Sequence, residues 1–145
     1  MSSKTKKLLL VRGLPGSGKS TFARQIEQDY DFIHLETDMY FMDKMGDYNY
    51  DKTKIQEAHN WCLRQTESMI LDQQDVVVSN TFTTFKEIEP YVNLSKKYRY
   101  NFAVICCKNE FKSIHDIPEI VIEKMTSRFE AIPGEIIKRV DNCVV

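Results

Sequence analysis

The sequence lacks the features that would place it in several specialised classes of protein. No stretch approaches the roughly 18 consecutive apolar residues of a membrane span, and the first residues lack the apolar core of a signal peptide. The formal net charge is -1, so the chain is not coated with the positive charge that long nucleic acids attract. The cysteines show no C-x-x-C spacing, which argues against a zinc site and favours reduced thiols in a cytoplasmic protein. They are Cys62, Cys106, Cys107 and Cys143.

The chain is too short for a second catalytic domain. It has 145 residues, of which 42% are hydrophobic and 28% charged, and these are ordinary values for a globular protein. A chain of this length buries about two-thirds of its unfolded surface in one core. We therefore expect one domain over residues 1–145, with no membrane partner.

Glycine is scarce, with five in the chain, yet three of them lie between residues 13 and 18. There the backbone can adopt conformations that bring successive N–H groups onto one phosphate. Lys19 would then reach the β- and γ-phosphate oxygens of ATP, and the Ser20 hydroxyl would ligate Mg²⁺. An apolar run before the loop and a helical pattern after it supply the context that the motif requires. The predicted ATP site consists of Gly13, Leu14, Pro15, Gly16, Ser17, Gly18, Lys19, Ser20 and Thr21.

The rest of the chain alternates between strand and helix patterns. After a first strand at 8–11, strands are predicted at 32–36, 75–79 and 102–107. Helices are predicted from the loop to about 30, over 53–73, from 85 with a restart at Pro90, over 116–130, and in a short terminal segment with Ile136 and Ile137. This alternation predicts a three-layer α/β/α P-loop NTPase sandwich. Its parallel sheet would have four to five strands, and a short helical lid would lie within about 108–130.

Phosphoryl transfer also needs a group that activates the acceptor and positive charge for the transferring oxygens. Asp38 follows the second strand, at the sheet edge where the phosphate loop also lies, and is the candidate base. A helix cap or a solvated carboxylate is the alternative for Asp38. Arg128 is the preferred catalytic cation of the lid, although a solvated helix face would explain it equally. His34 is expected to be an ordinary strand residue, and His59 is left undecided.

An acid that usually follows the third strand of such a site is missing. The strand at 75–79 ends in Ser79 and Asn80, whereas a Walker B strand ends in a carboxylate that holds Mg²⁺ through water. Two explanations remain open. Either Asp38 takes over this role, or the metal is ordered mainly by Ser20 and the nucleotide.

Several motifs resemble the polynucleotide kinase-like family of P-loop ATP-binding proteins, which includes small domains labelled AAA. They are the phosphate loop, Glu-Thr-Asp-Met-Tyr-Phe at 36–41, Ala-His-Asn-Trp-Cys at 58–62, Val-Ser-Asn-Thr-Phe at 78–82, and 115–118 with 128–130. The resemblance implies that Asp38 activates the attacking hydroxyl and that Asn80 and Thr81 contribute to the substrate site. Polynucleotide kinases flank that aspartate with arginines, where this chain has Thr37 and Phe41.

We therefore expect a Mg²⁺-dependent kinase that transfers the γ-phosphate of ATP to a hydroxyl acceptor. The acceptor is either the 5′ end of a nucleic acid or a small molecule. The alternative is a nucleotide-binding or ATPase module that regulates a partner and has no phosphoryl acceptor. Lysines and aromatic residues at 96–100 could contact nucleic acid, but a helix end followed by a strand explains them as well.

Overall fold

Five parallel strands form the centre of the protein in a computed structural model, which describes residues 5–108, 120 and 126–138. The strand order is β2-β3-β1-β4-β5, and every pairing is parallel. This confirms the predicted α/β class, and β1 is the central strand. The strands are β1 (Lys7–Arg12), β2 (Ile33–Leu35), β3 (Val76–Asn80), β4 (Asn101–Cys107) and β5 (Ile136–Lys138).

Helices cover both faces of the sheet, and strand alternation determines which side chains they meet. Helix α1 (Lys19–Tyr30) packs on one face, whereas α2 (Ile55–Leu71) and α3 (Phe85–Tyr98) pack on the other. Successive strand residues point to opposite faces. Accordingly, Val76 and Val78 are buried in the α2 and α3 core, while Val77 is buried beneath α1. Full burial of each such side chain contributes about 1.5–3 kcal/mol.

Two short 3₁₀ helices connect β2 to α2. The first, Thr37–Phe41, follows β2 directly, and the second, Lys52–Lys54, precedes α2. The chain between them is mostly exposed, and it folds back through an isolated bridge between Met42 and Tyr48.

The predicted terminal helix is wrong, because Ile136–Lys138 is strand β5, parallel to β4. A pair of adjacent β-branched residues does not distinguish a helical from a strand period, and the free edge of β4 decides between them. The predicted helix at 116–130 lies mainly outside the described residues. It is helical at 126–128 and already non-helical at Phe129 and Glu130, so it ends earlier than predicted.

The predicted restart at Pro90 is also wrong, because α3 continues through the proline. A capping box fixes the start of α3, where the Glu87 carboxylate accepts the Thr84 backbone N–H at 3.0 Å. Proline removes one backbone hydrogen bond from a helix interior and strains the preceding turn. The capped first turn and the burial of Ile88 and Tyr91 against the sheet offset that cost.

Three cysteines, Cys62, Cys106 and Cys107, are buried and form no disulfide among the described residues, and Cys143 lies outside those residues. Within the described ranges, no group of three or more His, Cys, Asp or Glu side chains is placed to hold a metal ion. None of the helices in those ranges combines the length and the apolar character that a membrane crossing requires.

Candidate phosphoryl-transfer site

The loop between β1 and α1 has the geometry of a phosphate cradle. Gly16 and Gly18 have φ angles of 81° and 86°, which side chains other than glycine rarely adopt. A Cβ atom on Gly13 would lie 2.2 Å from Ser17 Oγ and 2.8 Å from the Cys107 carbonyl oxygen. The loop therefore closes tightly on itself and on the end of β4.

Several hydrogen-bond donors at this loop have no acceptor among the residues that the structure describes. No side chain caps the N-terminus of α1 at Gly18, and the first turn of α1 contains no acidic residue. Ser17 Oγ is the one buried side-chain oxygen or nitrogen, in the part of the chain that the structure describes, that lacks a hydrogen-bond partner. An unpaired buried hydroxyl costs about 1–3 kcal/mol. Uncapped helix donors with an unpaired hydroxyl fit a bound phosphate.

Lys19 lies in the same site as two carboxylates. Burial lowers the pKa of Lys19, while the negative charges of Glu36 and Asp38 oppose that shift. These charges act at close range because the carboxyl ends of β1 and β2 lie on one edge of the sheet. The structure thus brings together Lys19 and Asp38, which are 19 positions apart in the sequence.

Asp38 lies exposed on the first 3₁₀ helix, and its carboxylate accepts a hydrogen bond from a tyrosine. Tyr48 donates its hydroxyl to Asp38 Oδ1 at 3.3 Å. Burial raises the pKa of Tyr48 to about 12, with further contributions from the charge of Asp38 and this hydrogen bond. Tyr48 therefore remains a proton donor, and Asp38 is the acceptor.

Asn80, at the end of β3, contacts the start of the first 3₁₀ helix. Its side-chain oxygen accepts the Thr37 N–H at 2.8 Å, and the Thr37 hydroxyl lies 3.0 Å from His59 Nδ1. Asn80 is only 9% exposed, and its neighbour Thr81 is partly buried. The contacts of Asn80 thus position the segment that carries Asp38, and a direct contact of Asn80 or Thr81 with substrate remains a prediction.

The remaining predicted residues lie around this edge. Ser20 is partly buried in the first turn of α1, and Thr21 beside it is exposed. Arg128 is exposed two residues before Glu130, whose N–H donates to the Thr83 carbonyl at 2.7 Å, just beyond β3. The catalytic role of Arg128 therefore stays a prediction.

Glu36 is a site residue that the sequence analysis missed. Ser79 donates its hydroxyl to Glu36 Oε1 at 2.6 Å, and His34 Nε2 lies 3.2 Å from the same oxygen. Burial alone would raise the pKa of Glu36, but hydrogen bonds from His34, Ser20 and Ser79 outweigh it and hold the pKa at about 2. The available signal was its position one residue beyond β2, beside a third strand that lacks its acid.

Arg12 is a second residue without a sequence prediction. It is fully buried at the end of β1, where its guanidinium donates to the carbonyl oxygens of Phe82 and Thr83 at 2.9 and 3.3 Å. Its Nη1 lies 2.7 Å from Glu135 Oε2, and the guanidinium carbon lies 3.9 Å from the centre of the Phe129 ring. Arg12 therefore ties the chain around 129–135 to the residue before Gly13.

With this geometry in place, comparison with known proteins gives the family. A family model described as AAA domain matches residues 8–113. The chain belongs to this family. It is 40% identical to human NEDD4-binding protein 2 over 95 residues, which is 64% of this chain and 5% of the human protein. It is 31% identical to an uncharacterized protein of Pasteurella multocida (strain Pm70) over 132 residues, which is 81% of this chain and 73% of that protein.

Further similarities connect the chain to proteins named as kinases. It is 28% identical over 96 residues to a protein of Acanthamoeba polyphaga mimivirus named as a candidate bifunctional polynucleotide phosphatase/kinase, covering 66% of this chain and 19% of that protein. The Pnkp1/Rnl/Hen1 RNA repair complex contains a chain with a TM-score of 0.68 and 19% identity, with 93% and 50% coverage. The APS kinase of Mycobacterium tuberculosis, solved with AMPPNP and APS, has a TM-score of 0.62 and 15% identity, with 97% and 92% coverage. The fold is thus a P-loop kinase fold.

Proposed function

We propose that this protein is a Mg²⁺-dependent kinase that transfers the γ-phosphate of ATP to a hydroxyl acceptor. The observation that carries the proposal is the proximity of an exposed carboxylate, Asp38, to the phosphate-loop lysine, Lys19. A base for the acceptor and a cation for the transferring phosphate are the two groups that the reaction needs side by side. The kinase names of the relatives and of the structural neighbours support the same reaction class.

The loop residues would bind and orient the phosphates of ATP. Backbone N–H groups at the start of α1 and the unpaired Ser17 hydroxyl would donate to phosphate oxygens. Lys19 would place its ammonium on the β- and γ-phosphates, which restores the favourable charge environment that burial removes. Bound Mg²⁺ would supply further charge neutralisation on the same oxygens, and Ser20 is the residue placed to ligate it.

Asp38 would activate the acceptor. Its carboxylate takes the proton of the acceptor hydroxyl as the new O–P bond forms, and the bond from the γ-phosphorus to the bridging oxygen breaks with its electrons leaving on ADP. Tyr48 orients the carboxylate through its hydroxyl, and the Thr37 contacts with Asn80 and His59 hold the backbone beneath it. These contacts would hold the Asp38 carboxylate in place as the acceptor hydroxyl approaches.

An open depression next to Tyr48, the residue that hydrogen-bonds Asp38, is suited to the acceptor. It has a volume of about 1020 Å³ and is bounded by the first 3₁₀ helix and the loop that follows. Tyr50 and Lys52 line it, and Tyr50 stacks on Tyr48 with an angle of 15° between the rings. Both tyrosines are about half exposed. Exposed rings beside a cation favour an acceptor that carries a planar group.

The proposal is tested with γ-labelled ATP and Mg²⁺ against a panel of acceptors. The panel contains 5′-hydroxyl DNA and RNA oligonucleotides, nucleosides, sugars and water alone. Label on any hydroxyl acceptor supports a kinase, and label on an oligonucleotide identifies the nucleic-acid class. Release of free phosphate alone, with no labelled acceptor, would instead favour the regulatory ATPase module.

The Asp38→Asn variant tests the role of the base. We expect transfer to fall about 10²–10⁴-fold, which is the usual contribution of a general base, while ATP binding is retained. Asp47→Asn is the matched control, because Asp47 is an exposed carboxylate of the neighbouring loop. Transfer at the wild-type rate by Asp38→Asn would refute the assignment.

A further inference from the structure

We infer that Glu36, set in place by Ser79 and His34, is the carboxylate that orders Mg²⁺ at Ser20, in place of the acid missing from the end of β3. The inference rests on the proposed function only in requiring Mg²⁺ and ATP at the phosphate loop. The sequence left two explanations open, in which either Asp38 or Ser20 with the nucleotide orders the metal. Glu36 is a third candidate.

Strand alternation places Glu36 on the correct face of the sheet. Leu35 pairs with Val78, so the next residues of the two strands, Glu36 and Ser79, lie side by side. Leu35 and Val78 are buried in the core beneath α2 and α3. Because neighbouring side chains alternate between faces, Glu36 and Ser79 point toward α1, which carries Ser20 in its first turn.

The contacts of Glu36 place its carboxylate beside Ser79, near the position of the carboxylate that ends the third strand in a Walker B motif. The Ser79 hydroxyl can donate one proton, and it gives that proton to Glu36 Oε1 at 2.6 Å. His34 Nε2, which lies 2.8 Å from Ser79 Oγ, must therefore carry the proton of that contact. His34 thus holds Ser79, and Ser79 donates to Glu36, so the neighbouring strand fixes the direction of the Glu36 side chain.

The chemistry of a serine ligand requires such an acceptor. A hydroxyl that gives a lone pair to a metal ion still carries its proton, and that proton needs an acceptor in a partly buried site. Ser20 and Glu36 lie on the same side of the sheet, so the Glu36 carboxylate is placed to accept the proton of the Ser20 hydroxyl. Glu36 is thereby suited to orient Ser20 and to accept hydrogen bonds from water on the ion. It is a positioning residue, because it acts through Ser20.

The test measures metal-linked nucleotide binding, which needs no acceptor and no turnover. The dissociation constant of AMPPNP is determined by calorimetry in EDTA and in saturating Mg²⁺, and Mn²⁺ binding is followed by electron paramagnetic resonance. Glu36→Gln keeps the size of the side chain and an oxygen for Ser79. We expect the increase in AMPPNP affinity caused by Mg²⁺ to be at least about tenfold smaller in this variant, whereas its AMPPNP affinity in EDTA is unchanged.

A second variant moves the carboxylate from one strand to the next. Glu36→Ser alone should lose the Mg²⁺ effect, and Glu36→Ser combined with Ser79→Asp should regain it. A wild-type response to Mg²⁺ in Glu36→Gln would overturn the inference, as would loss of the response in Asp38→Asn instead. A protein with normal Mg²⁺ linkage but no labelled acceptor would refute the proposed kinase and leave the role of Glu36 intact.

Discussion

Gly13 is a position where one added methyl group would disturb the phosphate loop. A Cβ atom there would collide with Ser17 Oγ and with the Cys107 carbonyl oxygen, and the latter belongs to a fixed strand. Gly46 offers a matched contrast, because its φ is +84° but nothing lies within 4 Å of its Cβ position.

Gly13→Ala is therefore expected to unfold more easily and to lose ATP binding. Overpacking at a fixed backbone costs about 1–3 kcal/mol, and relief of the clash must move the loop away from its phosphate-binding shape. Gly46→Ala should cost only the strain of a left-handed residue, about 1 kcal/mol, and keep ATP binding. Thermal denaturation and calorimetry check both variants, and normal ATP binding by Gly13→Ala would contradict the expected geometry.

Glu36 should also make stability depend on pH. Its pKa is about 2 in the folded protein, below the ordinary value of 4.5, so its contribution is complete above about pH 5 and is lost as pH falls through 2. Glu36→Gln should be less stable than wild type near neutral pH by on the order of 2 kcal/mol. The difference should shrink steadily toward pH 2, as measured by denaturant unfolding in EDTA. A difference that stays constant with pH would refute this contribution.

Individual site residues differ in how far the sequence could predict them. Lys19 and Ser20 belong to a contiguous motif, in which local spacing already fixes the geometry. Glu36 belongs to the site through a pairing between two strands that are about forty positions apart, and its role depends on Ser79. Spacing along one segment cannot reveal such a pair, because the register of β2 against β3 determines it.

Among the elements, β5 and the chain before it depend on the Arg12 side chain. Arg12 is fully buried and Glu135 is 6% exposed in its side chain, so neither charge can be hydrated if the other is removed. The surface pair of Lys97 with Glu67 lies at 3.4 Å and is largely exposed, which makes it a control of the same chemical type.

Arg12→Met should destabilise the protein by about 3–5 kcal/mol, since it leaves Glu135 buried without a partner. Adding Glu135→Gln should recover part of that loss because the uncompensated charge is removed. Lys97→Met should cost much less, because solvent screens its pair with Glu67. Denaturant unfolding measures the stability of wild type, the two single variants and the double variant. Equal losses of stability in Arg12→Met and Lys97→Met would show that the buried pair stabilises the protein no more than the surface pair does.

Elements with long periodic patterns were predictable, and short ones were not. Helix α2 and strand β3 were placed within two residues of their ends, because burial on a defined face repeats along them. Strand β5 has only three residues, too few to show a period. Its structure follows from the free edge of β4, which is a property of the assembled sheet.

At the level of the whole molecule, the groups of the phosphate loop oppose stability. Lys19 is held where burial lowers its pKa, and Ser17 Oγ is buried without a partner. A bound phosphate would accept hydrogen bonds from these groups and so remove their unfavourable contribution to the free energy, which strengthens phosphate binding. Sites built for function commonly reduce stability in this way.

Lys19→Met should therefore be at least as stable as wild type without ligand, and should gain nothing from ATP with Mg²⁺. Wild type should gain about 2.7 kcal/mol when the ligand is present at about one hundred times its dissociation constant. Scanning calorimetry with and without nucleotide measures both quantities. An equal gain in the variant would mean that Lys19 does not contact the phosphates.

The contacts of Arg12 also bear on where this domain can be cut from a longer protein. The family match ends at residue 113, yet Phe129 and Glu135 complete the surroundings of Arg12, and Ile132 is buried in the core. A fragment that stopped at the end of the match would expose a buried cation and the edge of β4 next to the phosphate loop. A fragment of this chain that keeps these contacts therefore needs the residues through Lys138.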